Sequence, residues 1–240
     1  MKRKIILFMF MISAVIAFGQ NQKSIEETTC TPPKFTGINS TVPILLEGKF
    51  PTIENYLGKK VTYPAVAVKE LPQGSEVVKF IVTTNGEVSN IEIVNSVSKE
   101  IDDEVTEALM TTNGMWKPGN NNRTPVAMEK EISLVFRLED SHQSFIDLGK
   151  KYYSHGADML FMQQNPKKAL KYFNKGVVLF PYDRSLLALR GIALFETGDR
   201  NGALHDWNRV KNLGGFEADG YSENLIYMKG YAEMNRVLGK

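Results

Sequence analysis

Cys30 is the chain's single cysteine, which excludes an internal disulfide. Histidine is almost as scarce. His142, His155 and His205 stand alone, with no second histidine or cysteine three or four residues away, so no metal-ligand spacing exists. Excess basic charge is also missing. The chain has 29 Lys+Arg against 27 Asp+Glu. Three of the basics, Lys2, Arg3 and Lys4, sit at the very start, and without them 26 face 27. With no basic patch or helix there is no electrostatic footprint for nucleic acid. The nucleophile-elbow, zinc-protease, phosphate-loop and dinucleotide patterns are absent. Asp102-Asp103-Glu104 are consecutive, so on a helix they point apart and suit its N-terminus better than paired acid–base work. The expectation is a protein that is not an enzyme, with no catalytic residues, no cofactor, no metal and no evident small-molecule substrate.

Long hydrophobic runs are few. Ile5 to Phe18 is apolar apart from Ser13; its roughly fourteen residues suit a signal-peptide core and are short for a membrane span. Lys2, Arg3 and Lys4 precede it, and Ala17-Phe18-Gly19 supplies a small-x-small site. Residues 1–19 are therefore expected to be a signal peptide with Gln20 as the mature start. The alternative is a retained membrane anchor. Glu27-Thr28-Thr29 before Cys30 do not form a lipidation signal. Residues 20–49 are polar and carry Pro32, Pro33 and Pro43. They read as a flexible linker with one short extended piece at Val42–Leu46. About thirty such residues reach at most about 100 Å.

Period-two patterning then begins. Val77 to Val94 reads as a β-hairpin around Asn85-Gly86. A two-residue turn there pairs Phe80 with Ile91, Val78 with Ile93 and Lys79 with Glu92. Ser98 can cap a following helix whose first turns are acidic and whose apolar stripe is Ile101, Val105, Ala108 and Leu109. Asn113-Gly114 can end it. A last strand follows, in which Met128, Ile132, Leu134, Phe136 and Leu138 alternate with Glu129, Glu131, Ser133 and Arg137. Residues 50–140 thus predict a small α+β domain, an antiparallel sheet with a helix. Trp116 reads as a core plug.

Several of these residues, in order, resemble a family. Phe50-Pro51, Tyr63-Pro64-Ala65-Val66-Ala67, the Asn-Gly hairpin, the acidic helix, Trp116-Lys117-Pro118-Gly119, Pro125 and the closing strand look like the C-terminal domain of TonB, found in Gram-negative envelope proteins. The resemblance implies binding by strand addition at the last strand. Carried onto this sequence, that edge is Glu129, Glu131, Ile132, Ser133, Leu134 and Phe136. The competing expectation is an edge that is covered, or paired in a homodimer.

After Leu138 the period becomes 3.6, and a 34-residue repeat appears. Ala157 matches Gly191, Leu160 matches Leu194, Ala169 matches Ala203, Leu170 matches Leu204 and Phe173 matches Trp207. Helix–turn–helix units of this length resemble tetratricopeptide repeats. Residues 141–240 therefore predict an all-α domain of two repeats, Lys150–Asp183 and Arg184–Glu217, closed by a capping helix from Tyr221 to about Leu238. The repeat resemblance implies a groove lined by Ser154, Asp158, Phe161, Met162, Ala188, Ile192, Phe195 and Glu196, with Phe161 and Phe195 as an exposed apolar stripe. The alternative is that the capping helix or the linker covers it. His205-Asp206 reads as a solvated pair.

Both halves imply binding. The expected role is a periplasmic adaptor between envelope proteins, outer-membrane proteins among them. The alternative is a TonB-like energy transducer anchored in the inner membrane.

Overall fold

A computed structural model describes residues 29–37, 52–62, 72–137, 144–217 and 223–240. The expected leader, the piece at Val42–Leu46, Phe50-Pro51 and the Tyr63–Ala67 pattern lie outside the described residues. The chain divides into two compact units, Met1–Glu139 and Asp140–Lys240.

The first unit is organised on β3 (Gly74–Val82), the centre of a three-stranded antiparallel sheet with β4 (Val88–Asn95) and β8 (Met128–Phe136) in the order β4–β3–β8. Alternation buries Val78, Phe80 and Val82 with Ile132, Leu134 and Phe136. Two helices complete this core. One is α1 (Ile53–Lys60), capped by Thr52, with Ile53 and Leu57 inward. The other is α2 (Lys99–Met110), capped by Ser98, with Ile101, Val105, Ala108 and Leu109 inward. Between α2 and β8 run three short strands, β5 (Trp116–Lys117), β6 (Gly119–Asn121) and β7 (Thr124–Val126).

The hairpin departs from its expected register for a local reason. Val78 faces Ile93 and Lys79 faces Glu92 as the sequence predicts, with Lys79 Nζ 3.0 Å from Glu92. Nearer the turn, Ile81 faces Ser89 and Val82 faces Val88. The Thr83 amide donates to Glu87 O and the Gly86 amide to Thr83 O. Three residues, Thr84 to Gly86, therefore make the loop, with Gly86 at φ +78. The extra residue is absorbed by a bulge at Asn90, φ +49. Phe80 falls opposite that bulge, so the expected Phe80–Ile91 pair does not form.

Gly86 is doubly constrained. Its φ favours glycine, and a Cβ there would collide with the carbonyl oxygen of Trp116. Because the obstacle is backbone, Gly86→Ala should cost about 2 kcal/mol in chemical denaturation. An unchanged midpoint would refute the close approach.

Residues 29–37, read above as linker, belong to the fold. They form β1 (Cys30–Thr31), paired with β6, and β2 (Lys34–Phe35), paired with β5. Composition pointed to a linker because Pro32 and Pro33 cannot donate to a ladder. The two prolines fall between the two short pairings, where no donor is needed.

The second unit contains α3 (Phe145–Ala157), α4 (Pro166–Leu179), α5 (Arg184–Glu196), α6 (Arg200–Asn212) and α7 (Lys229–Leu238). Asn165, Asp183 and Asp199 cap α4, α5 and α6 through their side chains. α5 is apolar nearly all round, with Leu186, Leu187, Ala188, Leu189, Ile192 and Ala193 buried. It is the central helix of the unit. Ala169 and Ala203 are buried, as are Phe173 and Trp207.

The expected match of Ala157 with Gly191 is corrected by the packing. The residue that lies against Phe173 is Gly156, just as Gly191 lies against Trp207. These glycines are 35 positions apart, whereas the aromatics and the caps Asn165 and Asp199 are 34 apart. The extra residue sits in a π-helical turn, Asp158–Met162, that continues α3. Such a turn accommodates one inserted residue within a helix. A single capping helix from Tyr221 is also corrected. A 3₁₀ turn, Glu223–Tyr227, comes first, and Met228 at φ −79, ψ 134 separates it from α7.

Candidate partner-binding surfaces

The strand-addition residues lie on β8. Ile132, Leu134 and Phe136 point into the core, Glu129 and Glu131 are exposed, and Ser133 is half-buried. β8 ends the sheet order, and its hydrogen-bonded strand neighbour is β3, from Gly74↔Phe136 to Val82↔Met128. The wet face of the sheet is mixed in charge. Lys79 lies between Glu92 at 3.0 Å and Glu129 at 3.7 Å. A strand laid along β8 would therefore meet backbone first and an acidic fringe second.

The helical groove is not open. Phe161, Ala188 and Ile192 are buried, and Phe195 and Glu196 are half-buried. α7 lies against α5 closely enough that Gly230 touches the backbone of Ile192. The Gly230 amide donates to Glu196 Oε1 at 2.8 Å, and Asn224 Nδ2 donates to Phe161 O at 3.0 Å. Phe195 stacks on Trp207 with centroids 5.8 Å apart, and the Arg200 guanidinium lies 5.5 Å from its ring. The exposed apolar stripe is thus replaced by a packed seam. Ser154, Asp158 and Met162 remain exposed. The physical reason is composition: α7 offers Gly230 and Met234 inward, a flat face that fits a helix carrying small and branched residues.

Two buried carboxylates were missed or misread. Asp206 is 1% exposed, not solvated. Arg190 grips it with two bonds of 2.7 Å, Nε to Oδ2 and Nη2 to Oδ1. Burial alone would raise its pKa, but the hydrogen bonds from Arg190 and His205 hold it below the usual carboxylate range. The signal was in the sequence: Ala203, Asp206, Trp207 and Val210 share one helical face.

Glu76 is the second. It is enclosed in β3 opposite Leu134. Its Oε2 accepts from the Val97 amide at 2.8 Å, while Oε1 is buried with no hydrogen-bond partner among the described residues. Burial, offset in part by the Val97 bond and reinforced by the neighbouring Asp102 carboxylate, pushes its pKa up to about 9. Asp102 itself accepts from Ser96 Oγ at 2.8 and 3.0 Å. Glu76 therefore holds a proton at neutral pH.

An apolar cleft of about 420 Å³ also opens in the helical unit, between α3 and the α4–α5 turn. Ile146, Tyr153, Phe180 and Leu186 line it, with Lys150 and Asp183 among the polar groups. Among the described residues no three His, Cys, Asp or Glu side chains gather as a metal site, and no helix is long and apolar enough to cross a membrane.

No curated protein matches the chain. Residues 59–138 match the family model of the Gram-negative bacterial TonB protein C-terminal region, so the chain carries a TonB C-terminal domain, followed by a region of packed helices.

Proposed function

We propose that this chain is a periplasmic adaptor of the Gram-negative cell envelope, non-catalytic, that binds partner proteins through the β8 edge of its TonB C-terminal domain. The observation that carries this reading is the position of β8 at the end of the sheet order β4–β3–β8, combined with the family match over residues 59–138. Domains of this family bind outer-membrane receptors, so an outer-membrane protein with an extended periplasmic segment is the favoured partner. The helical region, two helix pairs of tetratricopeptide kind closed by α7, serves as the scaffold.

A photo-crosslinking side chain placed at Glu129 or Ser133 on β8, in the full chain in cells, tests the edge. The same group at Ser89 or Asn90 on β4 is the control. Adducts to outer-membrane proteins are expected from β8 at least about tenfold more often than from β4, since strand addition brings a partner along the whole edge. Equal labelling from both strands, or none from β8, would reject the reading.

A further inference from the structure

The arm formed by residues 29–37 lies outside the span that the family model matches and covers a surface separate from β8. Pro33 and Phe35 are buried and Lys34 between them is exposed, the alternation of an extended strand. Phe35 seats in an aromatic box, with ring centroids 5.2 Å from Trp116 and 5.5 Å from Tyr56. The wall behind it is stiff. Trp116 packs edge-on to Phe80 at 5.3 Å and donates from Nε1 to Thr112 Oγ1 at 2.9 Å. Backbone bonds hold both ends of the arm: Thr36 N to Met115 O at 2.8 Å, and Asn122 N to Thr29 O at 2.9 Å.

The arm fits this surface in shape but not in charge. Lys34 stands directly opposite Lys117, and both are exposed. Like charges facing each other across an antiparallel pair oppose the pairing. The surface is shaped for proline, then any residue, then an aromatic, and its own side chain at the middle position asks for a carboxylate.

We propose that the β5–β6 edge, with the Trp116–Tyr56 box, is a docking site for an extended partner segment of the form proline–acidic residue–aromatic, and that residues 29–36 hold it as a weaker, displaceable occupant. Such a segment keeps the Pro33 and Phe35 contacts and turns the Lys117 repulsion into an attraction. A tethered arm competes at millimolar effective concentration, so the difference in charge decides the exchange.

Two labelled nine-residue peptides spanning Thr29–Gly37, both with Cys30→Ser and one with Lys34→Glu, are titrated against the full chain and its Phe35→Ala variant by fluorescence anisotropy. The glutamate peptide should bind the variant about fivefold more tightly than the lysine peptide, with the gap narrowing as salt rises. Both should bind the variant about tenfold or more tightly than the wild-type chain, whose arm competes. Equal affinity of the two peptides, or no binding to a variant that melts like wild type, overturns the proposal. If Phe35→Ala does not fold, Asn121→Cys replaces it. Oxidation to the facing Cys30 locks the arm, and reduction should restore binding of the glutamate peptide. Equal binding by the locked and reduced forms would also overturn the proposal.

Discussion

Asp206→Ala is expected to destabilise the helical unit by about 3–5 kcal/mol, because it leaves the Arg190 guanidinium in a half-buried site without its counter-charge. Arg190 is 18% exposed and Asp206 1%, so water cannot substitute for the lost partner. The paired change Arg190→Met with Asp206→Leu should return most of the loss, since removing both charges removes the desolvation that they share. Denaturant unfolding followed by helical circular dichroism measures both. If the single variant loses less than about 1 kcal/mol, the pair is not the buried contact described here. The pH dependence has a definite sign. The folded carboxyl lies below its ordinary value of 3.8, so its contribution is fully present above that value and disappears as pH falls through the folded pKa. Mild acid, down to about pH 4, should leave this unit's stability intact.

Glu76→Gln should act in the opposite direction and in the other unit. Glu76 carries a folded pKa of about 9 against an ordinary 4.5. The folded state then binds the proton that the unfolded state releases, and stability falls as pH rises from about 4.5 to about 9, by about 1.4 kcal/mol per pH unit at most. Glutamine keeps an acceptor for the Val97 amide and a donor toward Asp102, with no proton to lose. Near pH 4 the variant and the wild type should match. At pH 7 the variant should be more stable by about 3 kcal/mol. Asp102 is the charged neighbour that acts on Glu76, so Asp102→Asn should flatten the same slope in part. Parallel stability curves for wild type and Glu76→Gln between pH 4 and 8 would show that Glu76 titrates in the folded state as it does in the unfolded one.

These two carboxylates also mark where sequence reading succeeds and fails. Periodicity placed β3, β4, α2 and β8, because each is amphipathic at its own period and each has a local cap or turn: Ser98, Gly86, Asn113-Gly114. The 34-residue repeat also placed the helix pairs, whose caps Asn165, Asp183 and Asp199 the structure adds. Sequence reading failed where a residue's fate depends on a partner distant in sequence. Asp206 looks like a surface residue until Arg190 is set beside it. Period two puts Glu76 on the core face of β3 with Val78, Phe80 and Val82, but what lets a carboxyl sit there, the Val97 amide and the Asp102 carboxylate of α2, comes from further along the chain. The arm at Cys30–Phe35 was invisible for a similar reason: its partners, Trp116 to Asn121, lie more than eighty residues away, and its prolines suppress the strand signal. The groove residues on α3 and α5 were found as a face, but only packing could show that α7 fills it.

The π-helical turn at Asp158–Met162 gives the helical unit a place where chain length and geometry are uncoupled. Upstream of it Gly156 keeps its seat on Phe173, and downstream Asn165 keeps its cap, although one residue more runs between them than in the second pair. Length change is thus paid in a single widened turn and is not passed along the stack. An insertion or deletion at Asp158–Met162 is confined there, whereas the same event in α5, packed on all sides, would rotate every buried side chain beyond it out of phase.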